Sequence, residues 1–159
     1  MPSSDSDSET TKKRVDRELG ELLGELRIAL PGVQMLFAFL LTVPFYPRFE
    51  SLGEPFRSVF FGTFACTTVA AVFLIAPSSH HRLSFRAPDK ERLLLRANRF
   101  AILGIGFLAM AMCGVVFFIA GMVIGRAWAP AAAGGAGALI VATWYVWPLV
   151  RKLENGDPL

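Results

Sequence analysis

The chain has 159 residues, 53% of them apolar and 18% charged, with a formal net charge of +3. That length sets a single domain, and so small a charge without any aromatic-basic motif argues against a nucleic-acid partner. The charges sit in a few blocks between long apolar runs instead of being spread around a soluble core. This is the pattern of an all-α chain that crosses a bilayer several times.

Residues 1–11 are mostly Ser, Asp, Glu and Thr with no apolar period, and they predict a solvated, disordered tail. From Lys12 the pattern changes. Val15, Leu19, Leu22, Leu26 and Ala29 recur at spacings of four and three, while Arg17, Glu21 and Glu25 mark the opposite face. This predicts an amphipathic helix over 12–30, lying at the membrane-water boundary or docking a partner. Pro31-Gly32 predicts a break or kink near Leu30. The acids in residues 1–27 and the Pro44 and Pro47 that follow the first apolar run do not fit a cleaved secretory signal.

The membrane domain is predicted over 31–150, with spans at about 28–46, 58–76, 100–125 and 131–150. Gln34 is the strongly polar side chain of the first span. A short connection from Arg48 to Arg57 leads to the second, whose Thr63, Thr67 and Thr68 can return their hydroxyls to the preceding turn. Pro77 is expected to close it. The long polar connection 78–99 follows, and Pro88-Asp89 within it reads as a helix start. The third span is glycine-rich, and Gly121 and Gly125 form a GxxxG pair. The fourth opens with a run of small residues that includes Gly134 and Gly135 and closes on the aromatic residues Trp144, Tyr145 and Trp147. These glycines predict helix packing, within the chain or between two copies. Residues 151–159 form a short polar tail.

Thirteen Lys and Arg fall in the N-terminal segment, the central connection and the C-terminus, against Arg48, Arg57 and Arg126 on the other side. The positive-inside rule then places both termini and the central connection in the cytoplasm and the protein in the cell membrane.

Inside the four predicted spans there is no Asp, Glu, Lys, Arg or His. Proton- and sodium-coupled carriers usually depend on such a group at depth, so a small-ion transporter or channel component is the alternative and not the first reading. Polar side chains gather at the cytoplasmic ends of the spans. Glu25, Arg27, His81, Arg82 and Asn98 share one membrane face and could cluster there. They either meet lipid phosphates and hold the topology, or hold an anionic lipid or small anion with Glu25 fixing the arginines. His80-His81 lacks a third ligand at helical spacing and does not read as a metal site. Ser78 and Ser79 lack an orienting acid. Cys66 and Cys113 read as small packing residues within apolar runs. No catalytic residue, metal or cofactor is expected.

The run ELLGELRIALPGVQMLFAFLLTVPF, with APSSHHRLSFR and LLLRANR further on, resembles an actinobacterial family of small four-helix membrane proteins of unknown function. The resemblance covers roughly residues 17–147 and rests on Glu21 to Phe45 and on His81-Arg82. It implies a four-helix bundle in the membrane, and some members carry a sodium/proton antiporter label. The first functional expectation is a non-enzymatic accessory or structural membrane protein whose partners are the bilayer, possible anionic lipid, and a second copy or a larger complex.

Overall fold

The structure, a computed structural model, describes residues 4–83, 90–147 and 150–151. These residues are all-α, without a strand among them. Five α-helices follow in order: α1 (Ser4–Thr42), α2 (Pro47–Glu50), α3 (Glu54–Leu83), α4 (Lys90–Val123) and α5 (Ala129–Val141). A 3₁₀ turn, Val43–Phe45, closes α1, and a π-helical turn, Ala142–Val146, extends α5. Four segments are long and apolar enough to cross a membrane: Arg17–Phe45, Glu54–Ser79, Leu94–Val123 and Ala129–Val146.

Two expectations for the first segment are corrected. Helix α1 begins at Ser4, within the stretch expected to be a disordered tail. Nor is there a separate amphipathic element over 12–30, because α1 runs through Pro31 without interruption. Proline there lacks the N–H that would reach the Arg27 carbonyl. Burial at a spacing of seven explains why the helix holds. Leu19, Leu26, Val33 and Leu40 are all buried, with Leu26 3% and Val33 1% exposed on either side of the proline. A break at Leu30 would rotate one pair away from the seam and expose it. At 39 residues α1 is about 58 Å long, roughly twice the hydrocarbon thickness.

Pro77 likewise lies inside α3, which continues to Leu83 instead of closing at the proline. Its buried stripe is Phe56, Phe60, Thr63, Thr67, Ala70, Leu74 and Pro77, at alternating spacings of four and three. Pro77 is thus a packed core residue of a continuous helix. Pro88 and Asp89, the expected helix start, lie outside the described residues, and α4 begins at Lys90.

The chain divides into two compact units, Met1–Phe45 with Thr67–Phe107, and Tyr46–Cys66 with Leu108–Leu159. In the first, α4 meets α3 where Gly104 lies against Leu74. A Cβ at Gly104 would stand 2.7 Å from Leu74 Cγ. The Phe73 ring stacks near Phe100 and Phe107, at centroid distances of 5.7 and 6.1 Å.

In the second unit, Gly114 lies against the Thr63 side chain and Gly121 against the Phe56 ring. The chain numbers fall on α4 as they rise on α3, so the two helices run antiparallel there. Phe60 sits 5.6 Å from Phe118 and Phe56 5.4 Å from Phe117, filling the space beside the glycines. Helix α5 packs antiparallel to α4. A Cβ on Gly121 would stand 3.4 Å from the Ala129 Cβ, and one on Gly137 3.5 Å from the Cys113 Sγ. Small residues at these points let backbones approach, which is how helices gain packing where solvent supplies no drive between them.

The connection between α4 and α5 is made by Gly125, whose φ of +133° is one that residues with a Cβ rarely adopt. Its N–H still bonds the Ala120 carbonyl at 3.1 Å, and its carbonyl accepts from Trp128 N–H at 3.1 Å.

Alanine at Gly114 would force its new methyl into Thr63, whereas Gly134 has nothing within 4 Å. Gly114→Ala is expected to cost about 1–3 kcal/mol through overpacking. Gly134→Ala is expected to leave the folded state unchanged or slightly stabilised, since alanine is the better helix former by about 1 kcal/mol. Thermal unfolding of both variants in one detergent checks the contrast.

Candidate functional site

Of the five side chains expected to share one end of the spans, the structure describes those of Glu25, Arg27 and Asn98. Glu25, Arg27 and Asn98 are exposed, and none makes an ion pair or hydrogen bond among the described residues. The ion pairs of α1 among the described residues lie nearer its start: Arg14 Nε to Glu18 Oε1 at 2.9 Å and Arg17 Nε to Glu21 Oε1 at 3.8 Å. Both are exposed and one helical turn apart, an arrangement that contributes only a few tenths of a kcal/mol, on the order of 0.3–0.5. His81 and Arg82 belong to the last turn of α3, and their side chains lie outside those the structure describes.

The buried seams carry little polar chemistry. Thr63 and Thr67 are the buried polar residues among those described, and Thr67 is 0% exposed. The Thr63 hydroxyl donates to the Val59 carbonyl at 2.7 Å, so it is satisfied by its own helix. Among the described residues no group of three His, Cys, Asp or Glu could hold a metal ion. Cys66 and Cys113 are free and half-buried; the Cys113 sulfur fills the notch beside Gly137.

Of the glycines expected to pack helices, Gly121 meets Phe56 and Ala129. Gly125 lies beyond the end of α4 and shapes the turn instead. Gly134 and Gly135 face open space, so this stretch of α5 presents a flat, exposed surface of small residues.

The end of the fourth segment departs from a regular α-helix. The Thr143 hydroxyl donates to the carbonyls of Leu139 at 2.8 Å and Ile140 at 3.3 Å. The Trp147 N–H reaches back five residues to the Ala142 carbonyl. A hydroxyl competing for carbonyls of the preceding turn is a local cause for widening the helix into a π turn. Trp144, Tyr145 and Trp147 project from this turn and are exposed. The Arg151 guanidinium lies 5.4 Å from the Trp147 ring centre.

Gln34 is exposed on α1, well inside the Arg17–Phe45 segment, and makes no hydrogen bond among the described residues. Large apolar side chains around it are also exposed, Ile28 at 83% and Met35 at 76%. Two further polar groups were counted from sequence only as minority charges. Arg57 and Arg126 are each held over an aromatic ring near the start of α3.

Residues 8–148 match the family of unknown function DUF6328, and the chain belongs to that family. No curated protein and no solved structure matches it.

Because Glu25 and Asn98 touch no polar partner among the described residues, Glu25→Ala and Asn98→Ala are each expected to change stability by less than about 0.5 kcal/mol. Thermal unfolding checks this; a loss above about 2 kcal/mol, the scale of a broken buried network, would show that the two residues belong to a built site.

Proposed function

We propose that the protein is an integral, multi-pass component of the cytoplasmic membrane that acts without catalysis, by associating with itself or with a larger membrane complex. The observation that carries this reading is Gln34. An amide exposed among Ile28, Met35 and their neighbours, at hydrocarbon depth, has no water to bond. A primary amide is both donor and acceptor, so the same residue of a second copy satisfies it. The open small-residue surface at Gly134 and Gly135 supports the same reading, since such surfaces are where helices meet in lipid.

The exposed apolar side chains of the four long helices suit contact with lipid tails. The distribution of Lys and Arg supports a cytoplasmic location for both termini. The described seams hold threonine hydroxyls and no ionisable group. A proton or sodium carrier therefore gains no support from them.

Donor- and acceptor-labelled copies mixed in liposomes test the association. Replacing Gln34 with Leu is expected to weaken it by about 1–2 kcal/mol, roughly tenfold in the association constant, while Gln34→Asn retains most of it. Equal energy transfer for wild type and Gln34→Leu would rule out association through this residue.

The orientation has its own check. In a chain with Cys66→Ala and Cys113→Ala, a membrane-impermeant maleimide added to intact cells is expected to label Ser51→Cys. It is expected to leave Glu18→Cys unlabelled until the cells are lysed. The reverse pattern would invert the topology.

A further inference from the structure

A tight turn opens α3. Helix α2 ends at Glu50, Gly53 follows, and the N–H groups of Phe56 and Arg57 bond back to the Gly53 carbonyl at 3.0 and 3.3 Å. Arg57 folds over this turn. One of its terminal nitrogens, Nη2, donates to the Glu50 carbonyl at 2.9 Å, and its guanidinium lies 5.9 Å from the Phe49 ring centre. Phe49 is itself fixed edge-on against the buried Phe60 at 5.0 Å. The Arg57 Nε is shielded from solvent and has no acceptor.

A second guanidinium reaches the same turn from the other side of the sequence. Gly125, at its positive φ, turns the chain beyond α4. Arg126 then lies over the Phe56 ring at 5.4 Å, and its Nη1 stands 3.9 Å from where a Cβ on Gly53 would be. Phe56 is buried against Gly121 and Phe117, so this platform is also rigid.

Both arginines lie over aromatic faces, and neither pairs with a carboxylate among the described residues. Glu50 and Glu54 are near in sequence, yet both are exposed and make no ion pair with either arginine among the described residues. Two like charges held at one turn raise each other's energy unless an anion stands with them. Guanidinium forks stacked on aromatic rings suit phosphate oxygens, which accept their parallel N–H groups. The position also fits. Residues 54–57 and 123–129 mark the ends of three membrane-length segments, the level at which phospholipid phosphates lie.

We propose that Arg57 and Arg126 form a binding site for a phosphate group, carried by a phospholipid headgroup or by a soluble phosphate. The site does not involve Gln34 and stands whether or not the protein self-associates. Arg57 supplies the half-buried arm, with one donor already on Glu50. Arg126 supplies the exposed arm that closes on the anion.

The test uses the full chain in a defined mixture of phosphatidylglycerol and phosphatidylcholine, with retained lipid counted by native mass spectrometry. The double variant R57Q/R126Q is expected to lose at least about tenfold in phosphatidylglycerol retention, the size expected for charge-assisted hydrogen bonds. The control R14Q/R17Q, which removes two exposed and already paired arginines, is expected to lose none. Because Arg126 is exposed, R126Q alone keeps the fold intact and is expected to show part of the loss even if R57Q does not fold. A parallel titration with inorganic phosphate separates the two sources. A rise in melting midpoint for wild type and not for R126Q, without phosphatidylglycerol preference, assigns the site to a soluble phosphate. Equal lipid retention by wild type and R126Q, together with no phosphate-dependent difference in melting, overturns the proposal.

Discussion

The structure depends on how closely α4 can approach its neighbours. Gly104 accepts Leu74 in one unit; Gly114 and Gly121 accept Thr63 and Phe56 in the other. Each of these places has no room for a methyl group. Between apolar helices in lipid there is no transfer of apolar surface out of water to drive association, so dispersion from close contact has to supply it. The spacing of the buried residues serves the same end. Leu19, Leu26, Val33 and Leu40 on α1 repeat every seven residues, and the α3 stripe from Phe56 to Pro77 alternates steps of four and three. That is the period at which helices stay in contact over many turns. It also explains why two prolines are tolerated within long helices. The packing on both sides of Pro31 and around Pro77 outweighs the one backbone bond each removes.

The same tight seams restrict what the interior can do. Phenylalanine rings, small residues and two threonines fill them, and the Thr63 hydroxyl bonds within its own helix. What polar chemistry the described residues offer sits on the outside: the Gln34 amide, the arginines over Phe49 and Phe56, and the aromatic residues of the π turn. That accords with a role in assembly, with other membrane helices and with lipid, and less with passage of a solute through a polar core.

The long helices were legible in the sequence because apolar runs of membrane length need no tertiary information to be recognised. Their ends were not. Pro31 and Pro77 each predicted a boundary from local backbone chemistry, and in each case packing over neighbouring turns decided otherwise. The solvated character of residues 4–11 likewise suggested no helix, while α1 extends through them. Gly121 and Gly125 share one motif, yet Gly121 lies against Phe56 while Gly125 takes a positive φ; spacing alone does not distinguish a glycine that admits a neighbour from one that shapes a turn. The expected cluster was drawn from which residues share a membrane face, and Glu25, Arg27 and Asn98 make no polar contact among the described residues. Arg57 and Arg126 lie 69 positions apart, and only the fold brings both to the turn at Gly53.

The most direct test of assembly as the function is gentle extraction of a tagged copy from its native membrane beside an untagged one, with quantitative mass spectrometry of everything recovered. The account predicts that the untagged copy, or a distinct membrane protein, is recovered at a fixed stoichiometry that survives dilution. Recovery of the tagged chain alone, with purified monomer then carrying ions across reconstituted vesicles, would contradict it.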